Sequence, residues 1–151
     1  MKHSIQTLIL GLAFVFGSHA QEGSKDSIIL IEITSNIKFH WNNSTSKIVK
    51  DSLWKELKAS YPKHKKTLIQ KVGNHEPTEA KVCYVQGTIS KGQMAFIVLD
   101  KLERIPYAKV FEMQYCVFHI GCPYVEGLID SVHHNKDAVQ QLMDYFYPKN
   151  K

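Results

Sequence analysis

Cysteine, histidine and cysteine recur at three-residue intervals in Cys116-Val117-Phe118-His119-Ile120-Gly121-Cys122. Thiolate and imidazole are soft and borderline ligands that suit copper(I) or zinc. A strand running into a turn could fold such a set round one ion. Cys83, or the pair His133-His134, could complete the shell. The same residues also permit a disulfide between Cys116 and Cys122 across a short turn. That is the outcome favoured for an exported chain. Three cysteines allow at most one intramolecular bridge. Cys83 is then the odd thiol, expected as a small buried hydrophobe in a strand. Its pairing with either of the others stays open, because spacing alone does not give connectivity.

The run from Cys116 to Cys122 also resembles the Cys-x-x-His-x-x-Met ligand loop of small blue-copper proteins. Position 122 is cysteine where that loop has methionine, and the upstream histidine would have to be His75 or His40. A thiol enzyme is a further reading. Cys116 and His119 would form its nucleophile and base, but residues three apart on a strand point to opposite faces. His133 and His134 are adjacent, so their side chains diverge and suit a solvated loop better than one shared ion. His75-Glu76 lacks the second histidine of a His-Glu-x-x-His zinc helix, and Pro77 breaks such a helix. Asp51 and Glu56 read as solvated charges. The chain carries no nucleophile elbow, phosphate loop or dinucleotide fingerprint. Neither a catalytic group nor a resident cofactor is therefore expected; copper or zinc at Cys116, His119, Cys122 and Cys83 is the alternative.

Compartment decides between these chemistries. Met1-Lys2-His3, the apolar run from Leu8 to Phe16 and Ser18-His19-Ala20 have the layout of a secretory signal peptide. The apolar run is shorter than the roughly 20 residues that span a bilayer. Cleavage after Ala20 would give a secreted or periplasmic chain with a loose N-terminus over 21–26 and one α+β domain over 27–151. No transmembrane segment is expected after removal of the signal. Nineteen basic residues, Lys2 among them, face 14 acidic ones, but Arg104 is the only arginine. Arginine is the bidentate reader of phosphates and base edges, so the basic balance reads as a solvated lysine surface, with no nucleic-acid partner. Asp26-Ser27-Ile28, Asp51-Ser52-Leu53 and Asp130-Ser131-Val132 resemble an O-glycan acceptor motif of exported bacterial proteins. Asn42-Asn43-Ser44-Thr45 holds two overlapping Asn-x-Ser/Thr acceptors.

Hydrophobic periodicity supplies the elements that would hold these residues. Ser27–Thr34 reads as a buried strand, and Ile37, Phe39 and Trp41 alternate with polar residues as a second. Val49, Leu53 and Leu57 recur as the stripe of an amphipathic helix over 47–60, ended by Tyr61-Pro62. Strands are expected at 68–72, 81–89, 93–101, 107–120 and 128–132, with Ser90-Lys91-Gly92 as a hairpin turn. Ala138, Val139, Leu142, Met143 and Phe146 give a C-terminal helix capped by Asn135 and stopped by Pro148. The expected fold is α+β, an antiparallel sheet of about five to six strands packed by two amphipathic helices in the order β-β-α-β-β-β-(β)-α. Its function is expected to be non-catalytic binding of a small ligand or an exported protein. The expected site is a helix–sheet cleft lined by Trp41, Tyr107, Phe111 and Tyr115.

Overall fold

The computed structural model describes residues 27–114, 121–125 and 127–149. They form an α+β fold with three strands, β1 (Ile28–Thr34), β2 (Ile37–Asn42) and β3 (Lys47–Ile48). Five helices follow: α1 (Ser52–Lys71), α2 (Lys91–Glu103), α3 (Tyr107–Val110), α4 (Leu128–His134) and α5 (Ala138–Phe146). The sheet is antiparallel in the order β1-β2-β3, with Ile29 opposite Trp41 and Ile31 opposite Phe39. Alternation along β1 and β2 turns Ile31, Ile33, Ile37, Phe39 and Trp41 into the core. Ile28 and Leu30 stay exposed on β1.

The expected sheet of five to six strands is corrected to three. Residues 93–101 lie in α2, a helix buried on every side from Gly92 to Leu99. Such a helix has no polar face, so its sequence carries no 3.6-residue period to separate it from a buried strand. Its start was nonetheless written in the sequence. Ser90 Oγ accepts the Gln93 N–H at 3.2 Å while the Gln93 side chain accepts the Ser90 N–H at 2.8 Å. This reciprocal pair is a capping box, in the place where a hairpin turn is expected.

Residues 68–71 of the expected strand over 68–72 belong to α1, which starts later than expected, continues through Pro62 and ends with Val72 as its C-cap. Pro62 has no N–H for the Lys58 carbonyl, but both residues lie on the exposed face, where water can take that role. Asp51 caps α1 by accepting the Trp54 N–H at 3.1 Å. Trp54, Leu57, Tyr61, Leu68 and Ile69 form the buried stripe that packs α1 on the sheet and on α2. Residues 81–89 form a loop instead of a strand, and 128–132 lie in α4. Within the expected strand over 107–120, residues 107–110 are helical and 115–120 lie outside the described residues. The C-terminal helix is present as α5. Asn135 accepts the Asp137 N–H at 3.0 Å just ahead of it.

The cysteine bridge is the second correction. Cys122 is joined to Cys83, with 5.8 Å between the Cα atoms and a sequence separation of 39. The expected partner, Cys116, lies outside the described residues. Cys83 is therefore a bonded, exposed residue in the loop between α1 and α2, where a buried thiol in a strand is expected.

Candidate functional site

α2 sits at the centre of the helical layer, and its first turn organises the site. A Cβ on Gly92 would stand 2.3 Å from the Val72 carbonyl oxygen and 2.6 Å from that of Asn74. Only glycine allows α2 to approach the segment after α1 this closely. The Gly92 N–H donates to Asn74 O at 2.8 Å, and the Lys91 N–H donates to Glu76 O at 2.8 Å. These two bonds fix the backbone on both sides of His75. Lys91 Nζ also pairs with the Glu76 carboxylate at 2.5 Å.

α4 delivers the facing residue. Leu128, Ile129 and Val132 bury one side of α4 against the core, while Gln93 Nε2 donates to Asp130 Oδ1 at 2.8 Å. His133 is thereby set beside both Ser90 and His75. Its Nδ1 is 3.3 Å from Ser90 Oγ, and its Nε2 is 2.9 Å from His75 Nδ1. The two rings meet edge to face with centroids 4.3 Å apart. His134 donates its Nδ1–H to the Asp130 carbonyl at 2.7 Å. Burial first, then the neighbouring His75 and His134, push His133 below the usual imidazole range, against a smaller opposing pull from Asp130. These surroundings favour the neutral, lone-pair-bearing form of His133.

The histidines edge a groove of about 430 Å³ between the end of α1, α4 and α5. Val72, Val132, Ala138 and Val139 make its apolar floor, and His75, His133, His134, Asn135 and Lys136 its polar rim. Sequence reasoning set His75 aside and read His133-His134 as a solvated loop. Their meeting is a contact between residues 58 positions apart, which no spacing rule reports.

Ser90, His133 and His75 stand in a row, an order that invites comparison with a hydrolase. Ser90 is 6 % exposed and its oxygen is engaged in the helix cap. An oxyanion requires free donors. The first four amides of α2 are all taken: Lys91 by Glu76 O, Gly92 by Asn74 O, Gln93 by Ser90 Oγ and Met94 by Ser90 O.

Three of the four residues expected to line an aromatic cleft fall among the described residues. Trp41 is fully buried; its indole N–H donates to Lys81 O at 3.1 Å and its ring stacks on Tyr124 at 6.2 Å. Phe111 is buried edge-on against Phe96 at 5.9 Å. These two are core residues. Tyr107 lines a hollow of about 120 Å³ beside Asp100 and Tyr124. Its hydroxyl donates to Asp100 Oδ2 at 2.9 Å, while Asp100 Oδ1 accepts the Ile105 N–H at 3.1 Å. Burial raises both Asp100 and Tyr107 above their ordinary ranges. The pair ties the chain reversal at Arg104, which has a left-handed backbone with φ 52°, onto the last turn of α2. Tyr115 lies outside the described residues.

In the alternative metal set of Cys116, His119, Cys122 and Cys83, Cys122 is already bonded. Its sulfur is bonded to that of Cys83, so neither is a thiolate, and Cys116 and His119 lie outside the described residues. Among the described residues, no group of three or more histidine, cysteine or acidic side chains converges on one point. Also among them, no helix is long and apolar enough to cross a membrane. Comparison of the chain with protein-family profiles, curated proteins and solved structures finds no match in any of the three.

Proposed function

We propose that the chain is an exported, non-catalytic binding domain whose ligand occupies the groove between α1, α4 and α5. The observation that carries this reading is the paired His75 and His133 at the rim of an apolar-floored groove. Concave apolar sites with a few converging polar groups are the usual form of a ligand site. The Cys83–Cys122 bridge supports export, since such bonds persist in oxidising compartments. The occupied amides at the start of α2 support binding over catalysis.

The test is a fragment titration followed by NMR on the isotope-labelled chain. Fragments should shift the amides of Gly73, Val132 and Val139. Val139→Trp, which fills the groove from its half-exposed wall, should remove those shifts and leave the spectrum otherwise folded. Shifts confined to other surfaces, or unchanged by Val139→Trp, would refute the assignment.

A further inference from the structure

We propose that His75 and His133 together bind a divalent transition-metal ion at the rim of the groove, with copper(II) the best fit and zinc(II) the second. The inference rests on the groove being the binding site and names what holds the ligand there.

Distance supports the proposal first. His75 Nδ1 and His133 Nε2 stand 2.9 Å apart and face each other. Imidazole nitrogens sit about 2.0–2.1 Å from zinc, and comparable lengths apply to copper. Two such bonds at a right angle put the nitrogens about 2.9 Å apart, and at a tetrahedral angle about 3.3 Å apart. The observed spacing therefore matches the right-angled edge of a tetragonal copper(II) site, once each ring turns its lone pair about 45° off the line between the two nitrogens to meet the ion. Zinc requires an opening of about 0.4 Å. His75 is on an exposed loop and can give that much.

Orientation supports it second. A ligating histidine normally donates its other ring N–H to an oxygen, which fixes tautomer and ring plane. Ser90 Oγ stands 3.3 Å from His133 Nδ1 and already accepts the Gln93 N–H. Its remaining lone pair can accept the Nδ1–H, leaving the Nε2 lone pair aimed at His75. In the empty site the 2.9 Å contact is a hydrogen bond, with His75 Nδ1 as donor. On binding, His75 changes tautomer, its single ring proton passing from Nδ1 to Nε2, and both facing nitrogens become ligands.

The neighbouring acids are otherwise engaged, Glu76 by Lys91 and Asp130 by Gln93. The shell is therefore two imidazoles from the protein, with the remaining positions open to the groove. Water or a groove ligand bearing a carboxylate or amine would fill them.

Calorimetry and electron paramagnetic resonance of the disulfide-intact chain with copper(II) sulfate, and calorimetry with zinc chloride, test the proposal. One ion per chain is expected, with imidazole nitrogen couplings in the copper spectrum. His75→Ala and His133→Ala should each weaken binding by tenfold or more, as loss of a ligand exceeds the about 10–100-fold effect of losing an outer partner. His40→Ala should leave binding unchanged. Absence of a stoichiometric ion, or an ion retained by the His75→Ala/His133→Ala double variant, overturns the proposal. His75→Ala alters an exposed side chain, so it keeps the test valid should His133→Ala loosen α4. If fragments still shift Val139 while copper does not bind, the metal falls and the groove stands. If neither binds, both fall.

Discussion

His75 Nδ1 lies 2.9 Å from His133 Nε2, a contact that joins the segment after α1 to the last turn of α4. It depends on Gly92, which lets α2 press against Val72 and Asn74 and so sets where His75 stands.

Gly92→Ala should therefore act at both levels. A methyl group 2.3 Å from a backbone oxygen forces the 72–75 segment away from α2. The cost should be about 1–3 kcal/mol, in the range of overpacked cores. The His75–His133 contact should part as well. Urea unfolding gives the first, and histidine side-chain NMR correlations the second. Unchanged stability with unchanged imidazole resonances would refute this role for Gly92.

The bridge predicts thiol counts and a stability difference. One thiol should react in the denatured, unreduced chain and three after reduction, because Cys83 and Cys122 are joined and the sequence holds three cysteines. Cys122→Ser should cost about 4 kcal/mol by the loop-entropy relation for a closed loop of this length. Cys116→Ser should leave the bridge intact in peptide mapping. A Cys116-containing disulfide peptide from the wild type would show the pairing to be different.

Asp51 and Asp100 should bend the pH dependence of stability in opposite directions. The His40 hydrogen bond, ahead of the smaller contribution from Trp54 N–H, holds Asp51 below its ordinary value of 3.8. A lowered acid stabilises the fold above its unfolded value and loses that contribution as pH falls through the folded one. Burial raises Asp100, so its contribution is complete below 3.8 and is lost as pH rises from there through its raised folded value. Urea unfolding across pH 2–8 should show Asp51→Asn flattening the acid limb. Asp100→Asn should flatten the decline above about pH 4. Parallel curves for the wild type and both variants would contradict these assignments.

Phe96→Ala should cost about 3–5 kcal/mol, since it removes a buried ring at the centre of α2 that packs on Tyr107 and Phe111. Leu30→Lys, at an exposed position on β1, should change stability by less than about 0.5 kcal/mol. Similar losses for both in denaturant melts would mean that the burial assigned to these positions is wrong.

Local pattern determined a definite part of this protein. The alternation of Ile37, Phe39 and Trp41, together with the β-branched run at 28–33, specifies the β1–β2 pair. The stripe of Ala138, Leu142 and Phe146 specifies α5. β2 and α5 each have a polar wet face, so their period is visible in the residues themselves, whereas β1 shows only its β-branched content and carries Ile28 and Leu30 on its exposed side. Ser90 and Gln93 also recorded the start of α2. The rest of α2 was hidden because a helix enclosed on all sides has no polar face to betray its period, and α4 is too short to show one. Tertiary structure alone decided that Trp41 and Phe111 are core residues, that Cys122 bonds Cys83, and that His75 meets His133. These are contacts between distant positions, set by how α1, α2 and α4 pack around Gly92, and periodicity along a chain carries no information about which elements touch.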